Sequence, residues 1–443
     1  MRHSPYALVS HRPDAAHSGG VPDGCTGCNE GDDSVKHVAR KLAAVATVLT
    51  LVIGCEASWA QDKTLDPLEL QKARAEGLKK RAARVFYTKN FDLGGLPEYK
   101  PTAQMSGTIR QWGSNYLADS MLEHYLEEGF RKYHPNVKFE NNLSSTFIGI
   151  AGLYTKRADL APMGRKATWD ELQGYQRVFN TLPVEIIMAT GSYDVAGWTF
   201  ALVPFVHKDN PISKLTLEQL DGVFGTQRDG GWIGNEWDPG AARGPEKNIR
   251  TWGQLGLTGE WADKPIHVYA YNLNYHFPRD FAEKVMKGSN KWNETMREFS
   301  NKTRSGVALG DKDFGTLLGA GEQMTAEVAK DRYGITYTGI LYRTPDVKPL
   351  ALAKNASSRY IEPTLETVQA RTYPLTREVY YYTNRTPGKM IDPLITEYLR
   401  FVLSREGQEA VQRDGKYLPL TAETAREQLR KLDEIGKASK ATE

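Results

Sequence analysis

The sequence is poor in cysteine, and the cysteines it has are confined to one end. Cys25, Cys28 and Cys55 are the three cysteines in 443 residues. Cys25 and Cys28 form a lone CxxC without a second pair, which does not predict a zinc site. The sequence after Cys55 is free of cysteine, which excludes a disulfide-rich scaffold and is consistent with an oxidising compartment.

The sequence also lacks a strong charge excess and a long apolar run. Its 57 basic and 54 acidic residues give a formal net charge of +3. We therefore expect no nucleic-acid partner, because such proteins usually carry a clustered basic excess. No apolar run reaches the roughly 18 residues that a membrane-spanning helix needs. A hydrophobic content of 40% is ordinary for a soluble protein, and the length predicts about two domains.

One short apolar segment, Leu42 to Gly54, lies near the N-terminus. It is too short to span a membrane comfortably and follows Lys36, Arg40 and Lys41. Basic residues, a short apolar core and a small-residue cleavage site are typical of a secretory signal peptide. We predict a signal peptide over 36–60 and an exported, periplasmic protein; a buried core helix is the alternative.

The stretch GCEASWAQDK, at 54–63, carries two overlapping cleavage signals. Ser58 and Ala60 are small at the positions that a signal peptidase reads, which would give a mature start at Gln61. The residues before Cys55 instead fit a loose lipobox, with Cys55 as the lipidation candidate that tethers the protein without a membrane span. The sequence leaves both cleavages open.

The segment before the signal, residues 1–35, is polar and has no helical or strand periodicity. We interpret it as a non-structural leader, with a start codon near Val35 as the hypothesis that explains it. Residues 61–105, after the signal, combine a charged, helix-prone extension with a linker that contains Gly and Pro. The globular body is predicted to start near Ser106.

From Ser106 onward, strands and helices alternate, which predicts α/β layers around a mainly parallel sheet. Residues 226–249 are predicted to form an inserted loop. The predicted strands lie at 108–112, 137–140, 157–162, 198–206, 266–270, 334–341 and 379–383. The predicted helices lie at 115–133, 144–153, 215–224, 279–286 and 392–413.

Two helix starts, each after a predicted strand, are candidate anion-binding loops. A helix start offers free backbone N–H groups and a partial positive charge, and hydroxyls add donors. The same residue types are ordinary N-caps, so a purely structural role stays open. The first loop contains Ser114, Asn115 and Tyr116, and the second contains Ser144, Ser145 and Thr146.

Longer motifs in this sequence resemble the phosphate-binding proteins of bacterial phosphate ABC importers. The resemblance covers about residues 106–421, and its stretch from Tyr373 to Leu420 is long and specific. The motifs are WGSNYLADSMLEHYLEEGFRKYHPNVKF, SST, ADLAPMGRKAT, FVHKDNPISKLTLEQLDGVFG, GITYTGILYRTPDV, YPLTREVYYYTNRTPGK and DPLITEYLRFVLSREGQEAVQRDGKYLPL.

The resemblance implies a type II periplasmic binding protein, in which two α/β lobes enclose a ligand cleft. We expect the first lobe over 106–200 plus 372–425, the second lobe over 201–371 and a C-terminal tail over 426–443. The family implies a monomer without a metal, cofactor or catalytic residue. It would bind inorganic phosphate or a related oxyanion and deliver it to an inner-membrane ABC permease.

The resemblance also implies first-lobe ligand residues. The family's Gly-Ser-Asp/Asn-Thr and Gly-Ser-Ser-Thr loops fall on the two candidate loops above, and its Met-Ser-Arg motif falls on Met163, Gly164 and Arg165. Leu143 and Gly164 depart from these motifs, which removes a flexible glycine and a hydroxyl. With Asn272 of the second lobe, the implied ligand residues are Ser114, Asn115, Tyr116, Ser144, Ser145, Thr146, Arg165 and Asn272.

The second-lobe motif, Gly-Arg-Asn-x-x-Ser-Gly-Thr-Tyr in the family, is largely lost here. Tyr271 replaces the arginine, residues 275–277 read Tyr-His-Phe, and only Asn272 is kept. Charge-assisted hydrogen bonds contribute about 1.5–3 kcal/mol each. Losing an arginine and two hydroxyls therefore predicts a cost of roughly 4–6 kcal/mol and weak phosphate binding. His276 is open to two interpretations, a partial replacement cation or an ordinary surface residue.

Three functions remain open from the sequence. The first is a binding protein for phosphate or another oxyanion. The second is a diverged binding protein in which Tyr271, Tyr275 and Phe277 line the cleft for an organic ligand. The third is a secreted phosphatase, although the sequence has no HExxH, GxSxG, cysteine nucleophile or clustered metal ligands. Asp159 and Asp194 are interpreted as hydrogen-bonding residues rather than catalytic acids.

Overall fold

The protein is described from a computed structural model, which covers residues 84–303, 317–385 and 389–440. The leader, the signal peptide, both cleavage sites, the three cysteines and the predicted helix before residue 84 lie outside these residues. Among the helices that are described, none is both long and apolar enough to cross a membrane.

The described strands are short; seven of the sixteen correspond to predicted strands and keep the predicted order, and nine were not predicted. In chain order, the described strands are β1 (Ser106–Trp112), β2 (Asn136–Asn142), β3 (Leu160–Met163), β4 (Val184–Thr190), β5 (Val203–His207), β6 (Lys214–Thr216), β7 (Gly231–Ile233), β8 (Glu236–Asp238), β9 (His267–Tyr271), β10 (Arg297–Phe299), β11 (Lys302–Thr303), β12 (Leu317–Leu318), β13 (Gly334–Thr338), β14 (Val347–Pro349), β15 (Ala351–Ala353) and β16 (Glu378–Thr383).

The described α-helices alternate with these strands. They are α1 (Asn115–Ala118), α2 (Leu122–Tyr133), α3 (Gly149–Tyr154), α4 (Trp169–Phe179), α5 (Leu217–Phe224), α6 (His276–Val285), α7 (Ala320–Val328), α8 (Leu365–Gln369), α9 (Pro393–Val402), α10 (Arg405–Asp414) and α11 (Ala422–Lys440).

Two five-stranded sheets define two lobes and confirm the predicted two-lobed α/β fold. The first sheet has the order β2-β1-β3-β16-β4 and the second β10-β9-β13-β5-β14. In the first sheet β1 is parallel to β2 and β3, whereas β16 is antiparallel to its neighbours β3 and β4. The chain leaves the first sheet after β4, builds the second, and returns at β16.

The central strands are apolar on both faces, as strands covered by helices on both sides should be. β16, with the sequence EVYYYT, is buried at every residue, and so are β5 and β13. β2 lies at the edge of the first sheet and is mostly exposed. The near-continuous apolar run in β16 is therefore the sequence signature of a central strand.

The helix predicted over 115–133 is interrupted, and distant residues cause the break. α1 ends at Ala118, and α2 begins at Leu122. The Asp414 carboxylate accepts the Met121 N–H at 2.9 Å, and Ser120 Oγ accepts the Leu122 N–H at 3.2 Å. The helix predicted over 392–413 is also two helices, because Ser404 caps the start of α10.

Residues 84–105, predicted as a linker, instead pack against the first lobe, and we call them the N-terminal strap. Tyr87, Leu96 and Tyr99 of the strap are buried. Tyr99 Oη donates to Glu397 Oε1 at 2.7 Å and lies 2.6 Å from His134 Nε2. The prediction differs because the partners of these aromatic residues lie far along the chain.

The predicted C-terminal tail over 426–443 falls largely within α11. Gln428 is fully buried, and its Oε1 accepts the Ile187 N–H at 3.1 Å. Lys431 Nζ donates to the Glu185 backbone carbonyl at 3.3 Å. The helix therefore packs along β4 of the first sheet. In the second lobe, the predicted inserted loop contains the hairpin of β7 and β8.

Candidate functional site

Ser114 lies at the carboxyl end of β1, where the chain turns into α1. Its backbone N–H donates to the Pro162 carbonyl at 2.8 Å, which ties it to β3. The side chain is fully buried, and its Oγ has no hydrogen-bond partner among the described residues. A buried hydroxyl without a partner costs about 1–3 kcal/mol, and Ser114 shares this condition with other buried hydroxyls such as those of Thr190 and Thr376.

Gly164 brings Ser114 together with two threonines. A methyl group added at Gly164 would lie 3.1 Å from Thr199 Oγ1, 3.6 Å from Ser114 Oγ and 3.7 Å from Thr146 Oγ1. Thr146 Oγ1 accepts the Gly164 N–H at 3.4 Å, and Thr199 Oγ1 donates to the Gly164 carbonyl at 3.4 Å. We call Ser114, Thr146 and Thr199 the hydroxyl cluster.

Thr199 is a member of this cluster that sequence reasoning missed. Its φ of 50° places a β-branched residue in the left-handed region, where such residues are rare. Gly197, two residues earlier, has a φ of 90°. This turn replaces the first part of the strand predicted over 198–206, and no local sequence signal indicates that Thr199 faces Gly164.

The other predicted first-lobe residues have different surroundings. Asn115 Nδ2 donates to Asp119 Oδ2 at 2.8 Å within its own helix. Ser145 Oγ accepts the Phe147 N–H at 3.3 Å, which makes it a local cap, and Ser144 is exposed. Tyr116 is buried and lines a cavity described below. The structure thus brings Ser114 and Thr146 together.

Arg165, predicted as the anion-binding arginine, is buried and already paired. Its Nη1 and Nη2 donate to the Glu171 carboxylate at 2.7 and 2.8 Å, and Nη1 also donates to the Lys166 carbonyl at 2.8 Å. Burial opposes the charge, but the hydrogen-bonded carboxylate outweighs it, and the pKa of Arg165 lies above its ordinary value. Its guanidinium lies 5.0 Å from the Phe147 ring.

Arg377 is a second buried arginine at the same place, and sequence reasoning missed it. Its Nε donates to the Asp280 carboxylate of the second lobe. Its other nitrogens donate to the Phe200 carbonyl at 3.3 Å and to the Gly164 carbonyl at 3.4 Å. Arg377 belongs to the YPLTREVYYYT motif, which indicated the fold but not this contact.

The second-lobe loop, where the family motif is lost, is filled with aromatic rings. Phe277 stacks between Phe200 and Tyr271, with ring centroids 4.9 and 4.5 Å away. The Arg377 guanidinium lies 5.1 Å from the Phe277 ring. Tyr271 is buried, and its hydroxyl bonds to Thr338. In this protein, aromatic rings therefore fill the space in which the family motif would place an arginine and two hydroxyls.

Asn272, the kept residue of that motif, shapes the turn. Its Oδ1 accepts the Asn274 N–H at 3.0 Å, and its own N–H donates to the Phe299 carbonyl at 2.9 Å. Asn274, rather than Asn272, is among the residues that line the cavity.

A cavity of about 220 Å³ lies between the two lobes. The first lobe contributes Tyr116 and Phe147, and the other walls include Phe200, Tyr271, Tyr275 and Phe277. Of the described residues that line it, none is Asp, Glu, Lys or Arg. The lining is mainly aromatic, with His276, Asn274 and Asn301 as its polar side chains.

The acids considered as catalytic candidates have structural partners. Asp159 accepts two hydrogen bonds from the Arg110 guanidinium at 2.6 and 2.9 Å. Asp194 Oδ1 accepts the Tyr87 hydroxyl at 3.0 Å. Over the described ranges, no group of three or more His, Cys, Asp or Glu residues is arranged to hold a metal ion.

Comparison with known proteins places this chain in a family. The profile of the PBP superfamily domain matches residues 100–406. The phosphate-binding protein PstS of Pseudomonas aeruginosa is 31% identical over 340 residues, which cover 76% of this chain and 90% of that protein. The chain belongs to this family of phosphate-binding proteins.

More distant relatives of the family are also similar. The phosphate-binding protein PstS of Staphylococcus aureus is 26% identical over 330 residues, covering 74% of this chain and 83% of that protein. A crystal structure of PstS from Borrelia burgdorferi has 17% identity and a TM-score of 0.44, covering 71% of this chain and all of that one. A possible phosphate-binding protein from Planctomyces limnophilus has 18% identity and a TM-score of 0.43, covering 75% and 99%.

In this member of the family, one helix of the second lobe forms ion pairs with the first lobe. Besides the pair of Asp280 with Arg377, α6 provides Glu283, whose carboxylate lies 3.2 Å from Lys166 Nζ. Lys284 Nζ lies 3.3 Å from the carboxylate of Glu378 on β16. The burial of Glu378 opposes ionisation, but Lys284 and Arg371 outweigh it and lower the pKa of Glu378. Charged contacts thus join the lobes at the cavity.

Proposed function

We propose that the protein is the solute-binding component of a phosphate-type ABC import system and binds a small oxyanion between its lobes. The observation that carries this proposal is the buried, unpartnered hydroxyl of Ser114 within the hydroxyl cluster. A bound oxyanion would accept hydrogen bonds from such hydroxyls, and charge-assisted hydrogen bonds are the strong ones. The names of the Pseudomonas and Staphylococcus relatives support phosphate as the reference ligand.

The proposal extends to the setting of the protein. It is exported to the periplasm, either released or anchored through Cys55, and delivers its solute as a monomer to an inner-membrane permease. It acts by binding and not by catalysis. Tyr116 belongs to the cleft wall. The remaining predicted ligand residues stay predictions: Asn115, Ser144, Ser145, Arg165 and Asn272. The side-chain hydrogen bonds described for four of them are with residues nearby in the chain, and none is described for Ser144.

Phosphate itself is expected to bind weakly. The loss of second-lobe donors costs roughly 4–6 kcal/mol, which moves a micromolar site to about 1 mM or weaker. The stacking of Phe277 on Tyr271 supports weak phosphate binding, because the ring takes the space in which hydrogen-bond donors of the family's loop would lie. The second candidate function, binding of an organic solute, is favoured by the same packing.

Titration calorimetry with phosphate and sulfate, each raised well above the expected millimolar Kd, tests the proposal. We expect weak binding of an oxyanion to the wild type and at least tenfold weaker binding to Ser114→Ala. Ser357→Ala removes an exposed serine hydroxyl of another loop and is the matched control. Absence of any oxyanion binding, or equal affinity of the wild type and Ser114→Ala, would contradict the proposal.

A further inference from the structure

The size of the cavity suits one ring rather than one anion. An apolar cavity of about 150 Å³ holds benzene. The cavity between the lobes measures about 220 Å³, which leaves room for a six-membered ring and one substituent. Larger ligand pockets of about 300–1,000 Å³ serve drug-sized molecules, so this cavity suits a single ring better than a drug-sized solute.

The walls of the cavity present ring surfaces from several elements. Tyr116 and Phe147 come from the first lobe, and Phe277 and Tyr275 from the start of α6. Phe147 is 51% exposed even though it lines the cavity. Aromatic pairs prefer offset or edge-to-face contacts, which contribute beyond the burial of area. A flat aromatic ring is the solute that such walls recognise best.

The polar features of the cavity favour negative charge. Two helices begin at its wall, α6 after Tyr275 and α7 after Gly319, and neither N-cap residue provides a side-chain cap. Helix starts carry partial positive charge and free N–H groups. Asn274 and Asn301 add amides, although Asn301 Oδ1 already accepts the Ala320 N–H at 2.9 Å. No acid is among the described lining residues.

The hydroxyl cluster does not itself line the cavity, but the residues next to it in the chain do. Ser114, Thr146 and Thr199 are each followed, within two residues, by a ring that lines the cavity, and Gly164 holds the three hydroxyls together. The three rings are those of Tyr116, Phe147 and Phe200. A substituent on a ring in the cavity would therefore lie near the cluster.

We propose that the solute is a monocyclic aromatic oxyanion, with its ring in the cavity and its oxyanion group at the hydroxyl cluster. This inference rests on the proposed function and names its solute class. Inorganic phosphate alone would leave the mainly aromatic cavity unfilled, and a neutral ring would leave Ser114 without a partner. A small aryl phosphonate would provide both the ring for the cavity and the oxyanion group for Ser114.

Calorimetry with the full-length protein and three probes tests this inference. Phenylphosphonate has the ring and the oxyanion, methylphosphonate has the same oxyanion without the ring, and phenol has the ring without the oxyanion. Burial of the ring should make phenylphosphonate bind about tenfold to a hundredfold more tightly than methylphosphonate. Phenol should bind more weakly than phenylphosphonate by at least tenfold.

Two variants locate the ring. Phe147→Ala removes a half-exposed wall residue and should reduce the preference for phenylphosphonate over methylphosphonate by at least threefold. Phe277→Leu, which keeps apolar volume, should do the same. Trp237→Ala removes a side chain that is 50% exposed and does not line the cavity, so it is the matched control. The ratio of two affinities is read only from folded protein, so partial unfolding does not imitate the effect.

The outcomes separate this inference from the proposed function. Equal affinity for the two phosphonates would overturn the aromatic solute and leave oxyanion binding intact. Phenol binding as tightly as phenylphosphonate would overturn the oxyanion half, and with it the proposed function. Failure of phosphate, sulfate and both phosphonates to bind would overturn both.

Discussion

Trp169, at the start of α4 in the first lobe, stacks on Trp232 of the second-lobe hairpin, with ring centroids 4.5 Å apart and planes 6° from parallel. Asn235 Nδ2 of the same hairpin donates to Gln176 Oε1 of α4 at 2.5 Å. The hairpin therefore makes a second contact with the first lobe, which we call the clasp, and the Trp232 N–H donates to the Lys287 carbonyl just beyond α6 at 2.7 Å. The two contacts together join the lobes.

Removal of this clasp should open the lobes. Trp232→Ala removes a stacked pair that contributes about 0.5–1.5 kcal/mol beyond its buried area. We expect a larger radius of gyration in small-angle X-ray scattering than for the wild type. Ile233→Ala, which removes a 68% exposed side chain of the same hairpin, is the control. An unchanged radius of gyration for Trp232→Ala would show that the clasp does not set lobe closure.

Breaking the ion pair of Asp280 with Arg377 should lower the free energy of unfolding more than breaking the pair of Glu283 with Lys166. The side chains of Asp280 and Arg377 are almost fully buried, so Asp280→Asn leaves an uncompensated buried charge, and we expect a loss of about 3–5 kcal/mol in the free energy of unfolding. Glu283→Gln breaks the half-exposed pair with Lys166 and should cost about 1 kcal/mol or less. Urea denaturation measures both; similar losses would contradict the difference in burial.

Gly164→Ser should strengthen oxyanion binding. The added hydroxyl joins the hydroxyl cluster, and one charge-assisted hydrogen bond is worth roughly tenfold or more in affinity. The new β-carbon would lie 3.1 Å from Thr199 Oγ1, which requires a small shift of that side chain. Gly164→Ala adds the same carbon without the hydroxyl and is the control. Calorimetry measures the affinity of both variants for phosphate. Equal affinity of Gly164→Ser and Gly164→Ala would exclude a role for the added hydroxyl.

Glu123 should make stability depend on pH. Burial, and secondly the charge of Glu127, raise the pKa of Glu123 to about 8 from its usual 4.5. The folded protein therefore holds a proton that the unfolded chain releases, so the contribution is complete below pH 4.5 and is lost as pH rises to about 8. Relative to Glu123→Gln, the wild type should lose about 1.4 kcal/mol per pH unit across that window.

Urea denaturation of both proteins at several pH values measures this loss. Glu128→Gln, on the exposed part of the same helix, is the control for the change of charge. Parallel pH profiles of the wild type and Glu123→Gln would show that Glu123 is ionised in the folded protein.

Local patterns in the sequence predicted part of the element order, because apolar periodicity is a local property, but helix α4 and strand β4 were not predicted. The β-rich run in β16 and the alternation of Val137 to Glu140 in β2 are examples. The break before α2 was not predictable, since it depends on Asp414, 293 residues away. The linker assignment of the N-terminal strap fails for the same reason, because the partners of Tyr99 lie elsewhere in the chain.

The candidate site follows the same division. Ser114 and Thr146 were predicted from helix starts and from the family motif, and they meet at Gly164. Arg377 and Thr199 were missed, because their contacts depend on tertiary structure: Asp280 is 97 residues from Arg377. Arg165 stays a predicted anion ligand, and a motif does not reveal that its two terminal nitrogens donate to Glu171 while its Nε has no partner among the described residues.

The position of β16 has a consequence for the order in which a newly made chain completes its lobes. All five strands of the second sheet lie between β4 and β16 in the chain. The ribosome therefore releases them before β16, which pairs with both β3 and β4, can complete the first sheet. The N-terminal strap can pack on the first lobe only later, because its Tyr99 hydroxyl donates to Glu397, 298 residues away. Contacts of such long range are slow to form. During synthesis the second lobe can close alone, while the first lobe stays incomplete until nearly the whole chain has emerged.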